Sequence, residues 1–450
     1  MSGTEKGRPN IPTPNVIPRP DHSISRAQIS KNALRVLYRL KESGFEGYLV
    51  GGGVRDILLG REPKDFDVVT DARPEQVRQL FRNCRLIGRR FLLAHVHFGQ
   101  EIVEVATFRA LSTDDTEGDR ETVDGRIVRD NIYGTFDEDA FRRDFTINAL
   151  YYNIRDFSVV DFSTGLADLR AGVIRLIGDP EVRLREDPVR MLRAVRFAAK
   201  LGFRIDPEVE ACLPRMAELL ADIPPARLYE EVLKLFQGGF GVQAFELLRH
   251  YGLFDHLFPA VAQCLAEEEG GFPRMLIVRA LENTDARIAE GKPVTPAFLF
   301  AALLWEPLRR AEAAYREADE PPPRALDLAA DDVLRLQSRA VAFPRRFALV
   351  TRDIWSLQPR LTQTSGRRPS RLIEQPRFRA GYDFLVLRAA AGEDVQSLAD
   401  WWTAFQEADV SERERRLKPP AGARARRRPR RRRGRRAEAP AETPDATPAE

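Results

Sequence analysis

Two carboxylates, Asp65 and Asp67, stand two residues apart in Asp65-Phe66-Asp67-Val68-Val69. On a strand, whose side-chain period is two, both point to one face. Like charges this close repel unless neutralised, and hard oxygen ligands in a chain with five histidines suit Mg²⁺ or Mn²⁺ better than zinc. Alone, an Asp-x-Asp pair is an ordinary surface feature; its neighbours change the reading. Upstream, Gly51-Gly52-Gly53 interrupts an apolar strand ahead of a helical stretch, and glycines there let backbone N–H groups approach a phosphate at the helix N-terminus. Arg55 adds a fixed positive charge in that first turn. Together these residues describe a site for a nucleoside triphosphate and its metals, against the plainer reading of the glycines as a tight turn. A dinucleotide site is disfavoured because G-x-G-x-x-G fails at its third glycine, where Asp56 stands.

Regular elements must position these groups. Ile29, Leu34, Val36, Leu37 and Leu40 recur at helical spacing and predict a helix over 25–43, capped by Ser25 and ended by Gly44. Strands are expected over 47–50, 65–69, 85–87, 94–98 and 102–108, with helices over 54–59 and 74–81, making the first 150 residues a mixed α/β unit. The stretch 111–127, rich in Asp, Glu, Thr and Gly, reads as a mobile loop over the site. Beyond Ala171, helices are expected over 188–201, 207–220, 225–237, 242–251, 297–317, 326–342 and 384–408, without a fixed-period repeat.

Composition bounds the rest. With 450 residues, 43% of them apolar, the chain can bury several packed units. Its longest apolar run, 296–305, falls short of the roughly 20 residues a bilayer span needs, and the polar N-terminus lacks a signal peptide's apolar region, so a soluble cytoplasmic protein is expected. Cys84, Cys212 and Cys264 are odd in number and far apart, which favours buried thiols over disulfides or a zinc site. The net charge of +4 hides an asymmetry: residues 424–436 carry ten arginines and no acid, so the remainder of the chain, +4 less ten, is −6. Such a block, with Arg426, Arg427, Arg428, Arg430, Arg431, Arg432 and Arg433 at its centre, reads as an RNA-binding tail, or else as a solubilising one. The proline-rich first 20 residues read as a flexible leader.

The segment Leu49-Val50-Gly51-Gly52-Gly53-Val54-Arg55-Asp56, followed by Asp65-Phe66-Asp67, resembles the head motif of the class II tRNA nucleotidyltransferase and bacterial poly(A) polymerase family. Arg142-Arg143-Asp144-Phe145-Thr146-Ile147-Asn148-Ala149-Leu150 resembles its second motif, and Arg185-Glu186-Asp187-Pro188-Val189-Arg190-Met191-Leu192-Arg193 its nucleobase-facing helix. Leu86-Ile87-Gly88-Arg89-Arg90-Phe91-Leu92-Leu93-Ala94-His95-Val96-His97-Phe98 resembles the poly(A) polymerase branch, as does the arginine-rich C-terminus. The similarity runs from about Ser23 to about Phe405 and includes Asp222-Ile223-Pro224-Pro225-Ala226-Arg227 and Thr351-Arg352-Asp353-Ile354-Trp355. It implies a polymerase-beta-like α/β nucleotidyltransferase head with a mixed sheet at 23–152. An all-α neck at 153–238 and a helical body and RNA-binding region at 239–410 would follow, between a disordered leader at 1–22 and a disordered arginine-rich tail at 411–450. The implied activity is untemplated addition of AMP from ATP to RNA 3′ ends with Mg²⁺ or Mn²⁺, with RNA-decay proteins as partners by analogy. A tRNA CCA-adding enzyme is the alternative within the family. A non-enzymatic RNA-binding module would need a broken acidic pair, and this pair is intact.

For phosphoryl transfer, Asp65 and Asp67 are the expected metal ligands. Asp144 is the third carboxylate by resemblance, with Glu104 open as the alternative; the plainer readings are a salt bridge or cap at Asp144 and a strand-face acid at Glu104. Gly51 and Gly52 would admit phosphates, and Arg55, Arg143 and Arg193 would neutralise them. Arg190, Arg193 and Arg196, spaced by three, line one groove or one solvated basic face. By resemblance, Asp187 and Arg190 contact the incoming base. His95 and His97 lack a third nitrogen or sulfur ligand nearby and read as structural or RNA-contacting. Trp401-Trp402 and the aromatics of 254–258 read as helix packing.

Overall fold

The computed structural model describes residues 13–88, 92–111, 120–123, 126–130, 132–267 and 274–417. In chain order the first part contains β1 (Asn15–Ile17), α1 (Lys31–Glu42), β2 (Gly47–Val50), α2 (Gly52–Leu58), β3 (Asp67–Thr70), α3 (Pro74–Leu80), β4 (Cys84–Ile87), β5 (Leu93–Phe98) and β6 (Glu101–Thr107). A separate two-stranded hairpin, β7 (Arg120–Val123) and β8 (Arg126–Asp130), follows, then α4 (Phe136–Arg142), β9 (Leu150–Asn153), β10 (Val159–Asp161), α5 (Gly165–Ala171), α6 (Pro180–Glu186) and α7 (Val189–Leu201). Eight strands form one mixed sheet in the order β1-β10-β9-β2-β3-β6-β5-β4, with β3 and β6 parallel and every other neighbouring pair antiparallel.

Strand alternation sorts the two faces. Leu49, Val68, Val105, Ala94, Tyr152 and Val159 face a core covered by α1 and α3, and this core continues without a break into the helical part as far as Ala391. On the opposite face one row of paired residues runs Val160, Tyr151, Val50, Asp67, Glu104, His95. Its first half is apolar and packs with Phe108, Ala140 and Phe162; Phe136 of α4 stacks on Tyr48 at 4.2 Å and meets Tyr151 edge-on at 4.8 Å. Its second half carries the acids.

Several boundaries differ from the sequence reading, each for an identifiable reason. Val50↔Asp67 is the last pair of β2 and β3, because β2 turns away at Gly51; Asp65 therefore precedes the strand and is exposed. Ser25 caps only a 3₁₀ turn (Arg26–Gln28) through a capping box with Gln28, and Ser30 caps the main helix α1. Within the expected leader 1–22, β1 pairs with β10 and buries Ile17; a three-residue edge strand has no sequence period to betray it. The sheet takes β10 from beyond residue 152, so the head extends past that position. Within the expected loop 111–127, residues 120–123 and 126–127 belong to the antiparallel strands β7 and β8.

Apart from a two-residue strand, Arg204–Ile205, paired with Val173–Ile174, the regular elements described beyond α7 are helices, at Pro207–Met216, Pro225–Phe236, Gly241–His250, Arg274–Ala289, Pro296–Leu303, Trp305–Glu317, Pro322–Ala340, Arg345–Leu361, Phe378–Ala390 and Gln396–Glu407, besides shorter ones. The expected 297–317 helix splits ahead of Pro307, which cannot donate to the Leu303 carbonyl, and the expected 384–408 helix splits at Gly392, held at φ +96°. Trp402, Phe254 and Phe258 are fully buried, as core packing requires, and Trp401 stacks on Phe405 at 4.8 Å. Cys212 and Cys264 are buried free thiols and Cys84 is half-buried. Among the described residues no helix is long and apolar enough to cross a membrane.

Candidate active site

The site lies where β2 ends and α2 begins. Gly51 joins them at φ +74°, ψ −136°, a conformation open essentially to glycine alone. A Cβ there would come within 3.8 Å of both Asp67 Oδ2 and Arg143 Nη1, so Gly51 borders the acidic pair and an arginine at once. Gly53 allows a second close approach: a Cβ on it would meet the Asp65 carbonyl oxygen at 3.3 Å, fixing the segment that presents Asp65 against α2.

Register places Glu104 of β6 beside Asp67 of β3, and His95 of β5 beside Glu104, with His95 Nε2 3.4 Å from Glu104 Oε1. Burial, with the charges of Glu104 and Asp65, pushes the Asp67 carboxyl up to about 6 despite the nearby Arg143 guanidinium. Three carboxylates with one opposing arginine form a set of hard oxygen donors with excess negative charge, which fits a divalent cation. Among the described residues no three acidic, histidine or cysteine side chains close into a complete metal cage. His95 and His97 have rings 6.4 Å apart, and His95 faces Glu104.

Asp144 does something else. It accepts from Arg193 Nε at 2.6 Å, the Phe145 N–H at 2.7 Å and Asn148 Nδ2 at 3.2 Å. Burial pushes its carboxyl up, but Arg193 and these donors outweigh it and hold it at about 2. Asn148 Oδ1 in turn accepts from Arg55 Nη1 at 2.7 Å, and Arg55 is bound by Asp56 through Nε at 2.8 Å and Nη2 at 2.6 Å. A continuous polar chain thus runs Asp56–Arg55–Asn148–Asp144–Arg193 from α2 to α7. Lys200 Nζ, 3.5 Å from Asp56 Oδ2, closes it at the other end of α7. Phe197 sits at its centre, with the guanidinium carbons of Arg55, Arg193 and Arg196 5.0, 5.4 and 4.6 Å from its ring centroid.

Of the three arginines expected to face the triphosphate, only Arg143 is turned to Gly51 and Asp67. Arg55 is 2% exposed and engaged within the chain just described, and Arg193 is paired with Asp144. Gly52 opens α2, with Arg55 Nη2 3.7 Å from where its Cβ would be. The row of arginines on α7 is not a solvated face: Arg190 Nη1 donates to Glu186 Oε2 at 2.9 Å and to the Arg183 carbonyl at 2.6 Å, while Arg196 lies 3.3 Å from Glu231. Asp187 accepts from Arg227 Nη2 at 2.7 Å. The tail arginines, Arg426 to Arg433, lie outside the described residues.

The sequence reading passed over Asp139, Tyr151, Arg227 and Glu231 as site residues. Tyr151 directly follows the second motif and Arg227 ends a matched segment; either position was a signal. Asp139 stands four residues before Arg143, a helical spacing that was also a signal; Glu231 had none, since only packing brings it to Arg196.

A mixed sheet with Asp67 and Glu104 side by side, next to a positive-φ glycine turn that Arg143 faces, is the arrangement of a nucleotidyltransferase head. Three family models match in order: the poly A polymerase head domain over residues 47–175, the probable RNA and SrmB-binding site of polymerase A over 202–265, and the polymerase A arginine-rich C-terminus over 318–437. The chain is 54% identical to poly(A) polymerase I of Salmonella typhi over 88% of this chain and 86% of that one. It is 40% identical to the CCA-adding enzyme of Lactobacillus helveticus over 48% of this chain and 52% of the other. The crystal structure of the Bacillus stearothermophilus CCA-adding enzyme in complex with CTP superposes with a TM-score of 0.56 at 27% identity, covering 83% of this chain and 81% of that one. The chain belongs to the bacterial poly(A) polymerase I family.

Proposed function

We propose that this protein adds AMP from ATP, without a template, to RNA 3′ ends and releases pyrophosphate. The observation that carries the chemistry is the placing of Asp67 beside Glu104 in the β3–β6 register and against the Gly51 turn and Arg143. The choice of adenylate over the CCA reading rests on identity that spans most of the chain for poly(A) polymerase I and about half of it for the CCA-adding enzyme.

In this reading Asp65 and Asp67 hold Mg²⁺ or Mn²⁺, with Glu104 replacing Asp144 as the third carboxylate. When bound, the cation acidifies the attacking 3′-hydroxyl and stabilises charge on the departing pyrophosphate. Gly51 and Gly52 keep side-chain volume out of the phosphate path, and Arg143 Nη1 donates to phosphate oxygens. Asp144 orders Arg193 and, through it, α7. Asp187 and Arg190 read the base edge while Arg227 and Glu186 fix their orientation. Residues up to about 177 form the catalytic head, the helices from α6 onward carry base and RNA contacts, and the arginine tail binds RNA backbone. Work in the cytoplasm and contact with RNA-decay proteins belong to the same reading.

The test incubates the full chain and Mg²⁺ with an unstructured RNA and with a tRNA lacking its 3′ end, supplying ATP or CTP separately. Long ATP-dependent tails on the generic RNA, absent in Asp65→Ala, are expected. CTP use that terminates on tRNA would replace this reading with the CCA one, and no incorporation at all would overturn both.

A further inference from the structure

Among the described residues, Arg143 is turned with its Nη1 toward Asp67 and Gly51, and its other guanidinium nitrogens are held from behind. Its Nε donates to Tyr151 Oη at 2.8 Å and to Asp139 Oδ2 at 3.3 Å, and its Nη2 donates to the same Asp139 oxygen at 3.1 Å. Tyr151 Oη donates to that oxygen in turn, at 3.1 Å, closing a three-membered ring of hydrogen bonds. The guanidinium carbon lies 5.2 Å from the centroid of the Tyr151 ring. Two of the three guanidinium nitrogens are thereby engaged, and the third, Nη1, is the atom 3.8 Å from where a Gly51 Cβ would stand. Asp139 precedes Arg143 by one turn of α4, and Tyr151 sits in the same sheet row as Asp67 with Val50 between them. Both are buried, and burial drives the Tyr151 phenol well above its usual range, so it stays a neutral donor and acceptor at once.

We propose that Tyr151 and Asp139 are positioning residues that hold the Arg143 guanidinium with Nη1 facing the nucleotide phosphates. This rests on the nucleotidyl-transfer reading. An arginine fixed by a carboxylate and a phenol gives up little rotamer freedom when a phosphate arrives, and its fork cannot swing onto Asp67 itself. The carboxylate also keeps the buried guanidinium paired while no nucleotide is bound. Neither residue reaches the reacting atoms, so the effect of losing either one passes through Arg143.

The experiment uses the full chain with Mg²⁺ and an unstructured RNA. Tyr151→Phe keeps the ring, and so the packing with Phe136, but removes the hydroxyl; it should raise the KM for ATP about tenfold, the weight of one charge-assisted hydrogen bond. The KM for RNA should not move, and Asp139→Asn should shift the KM for ATP the same way. In an Arg143→Lys background, which lacks the guanidinium Nε, Tyr151→Phe should add nothing. An unchanged KM for ATP, a fall in kcat alone, or full additivity with Arg143→Lys would overturn the proposal. Equilibrium binding of a non-reactive ATP analogue to the same variants reads the clamp without turnover. A wild type that incorporates no nucleotide therefore sinks the functional reading, while the clamp still stands or falls on analogue affinity.

Discussion

Asp144→Asn removes the charge on which Arg193 rests, and the structure fixes the size of the effect. The Asp144 carboxyl lies at about 2 in the folded protein against an ordinary 3.8. A depressed folded-state value contributes stability that is complete above the unfolded value, near pH 4, and is lost as pH falls through about 2. The difference, slightly under two pH units at 1.36 kcal/mol each, is on the order of 2–3 kcal/mol at neutral pH. Arg193 keeps 30% of its side-chain surface exposed and can take up water once Asp144 is neutral, so about 2 kcal/mol is expected for Asn and about 3 kcal/mol for Ala. In urea at neutral pH the Asn variant should unfold at a lower midpoint with an unchanged slope, the gap should narrow toward pH 3, and adding Arg193→Met should recover much of the loss. Binding of Mn²⁺, followed in parallel, should stay near wild type, whereas Glu104→Gln should leave the urea midpoint in place and cut turnover by on the order of a hundredfold. An Asp144→Asn protein of wild-type stability that binds Mn²⁺ poorly would refute the reasoning and return Asp144 to the metal shell.

Three further outcomes are expected. Gly51→Ala forces φ +74° on an L side chain and sets a methyl against the phosphate path; it should cost about 1–3 kcal/mol in a thermal melt and abolish AMP incorporation. Asp67 has the opposite sign from Asp144: with its folded value raised from 3.8 to about 6, the metal-free protein loses stability as pH rises from about 4 through about 6, by up to about 3 kcal/mol. Asp67→Asn should therefore raise the melting temperature of metal-free protein at pH near 7.5 while ending turnover, and added Mg²⁺ should raise the wild-type melting temperature more at that pH than near pH 5; equal gains would count against Asp67 as a ligand. Truncation after Leu417 removes the ten arginines of 424–436, so RNA affinity should fall and its dependence on salt should flatten by several units of slope, with turnover at saturating RNA kept; an unchanged slope would mark the tail as solubilising.

Much of the head could be read from local pattern. Strands 47–50, 94–98 and 102–108 and the helix at 74–81 were legible within a residue or two because each carries its own apolar period. Misplaced boundaries cluster where a distant partner or a single residue decides. Asp65 left its strand because Gly51 ended the opposing one, β1 existed only through β10, and Pro307 and Gly392 split helices whose apolar period runs straight across them.

The site divides the same way. Asp65, Asp67, Gly51 and Gly52 stand out by residue type and spacing as candidates for metal ligation and phosphate approach, since those are demands on side-chain chemistry that a short segment can express. Which carboxylate lies beside Asp67, and which arginine is turned to Gly51, could not be read along the chain. Glu104 stands beside Asp67 through a parallel strand pairing although 37 positions, 104 less 67, separate them along the chain, and Asp144 meets Arg193 across a separation of 49. Arg55, Arg143 and Arg193 look alike in sequence because each carries the same fixed charge. Only the fold, by burying one against Asp56, pairing one with Asp144 and clamping the third behind Tyr151, gives them different work. The sequence by itself determined the chemistry on offer, and the tertiary structure decided which charges are already spent, because pairing in a buried network depends on distance in space and not on position in the chain.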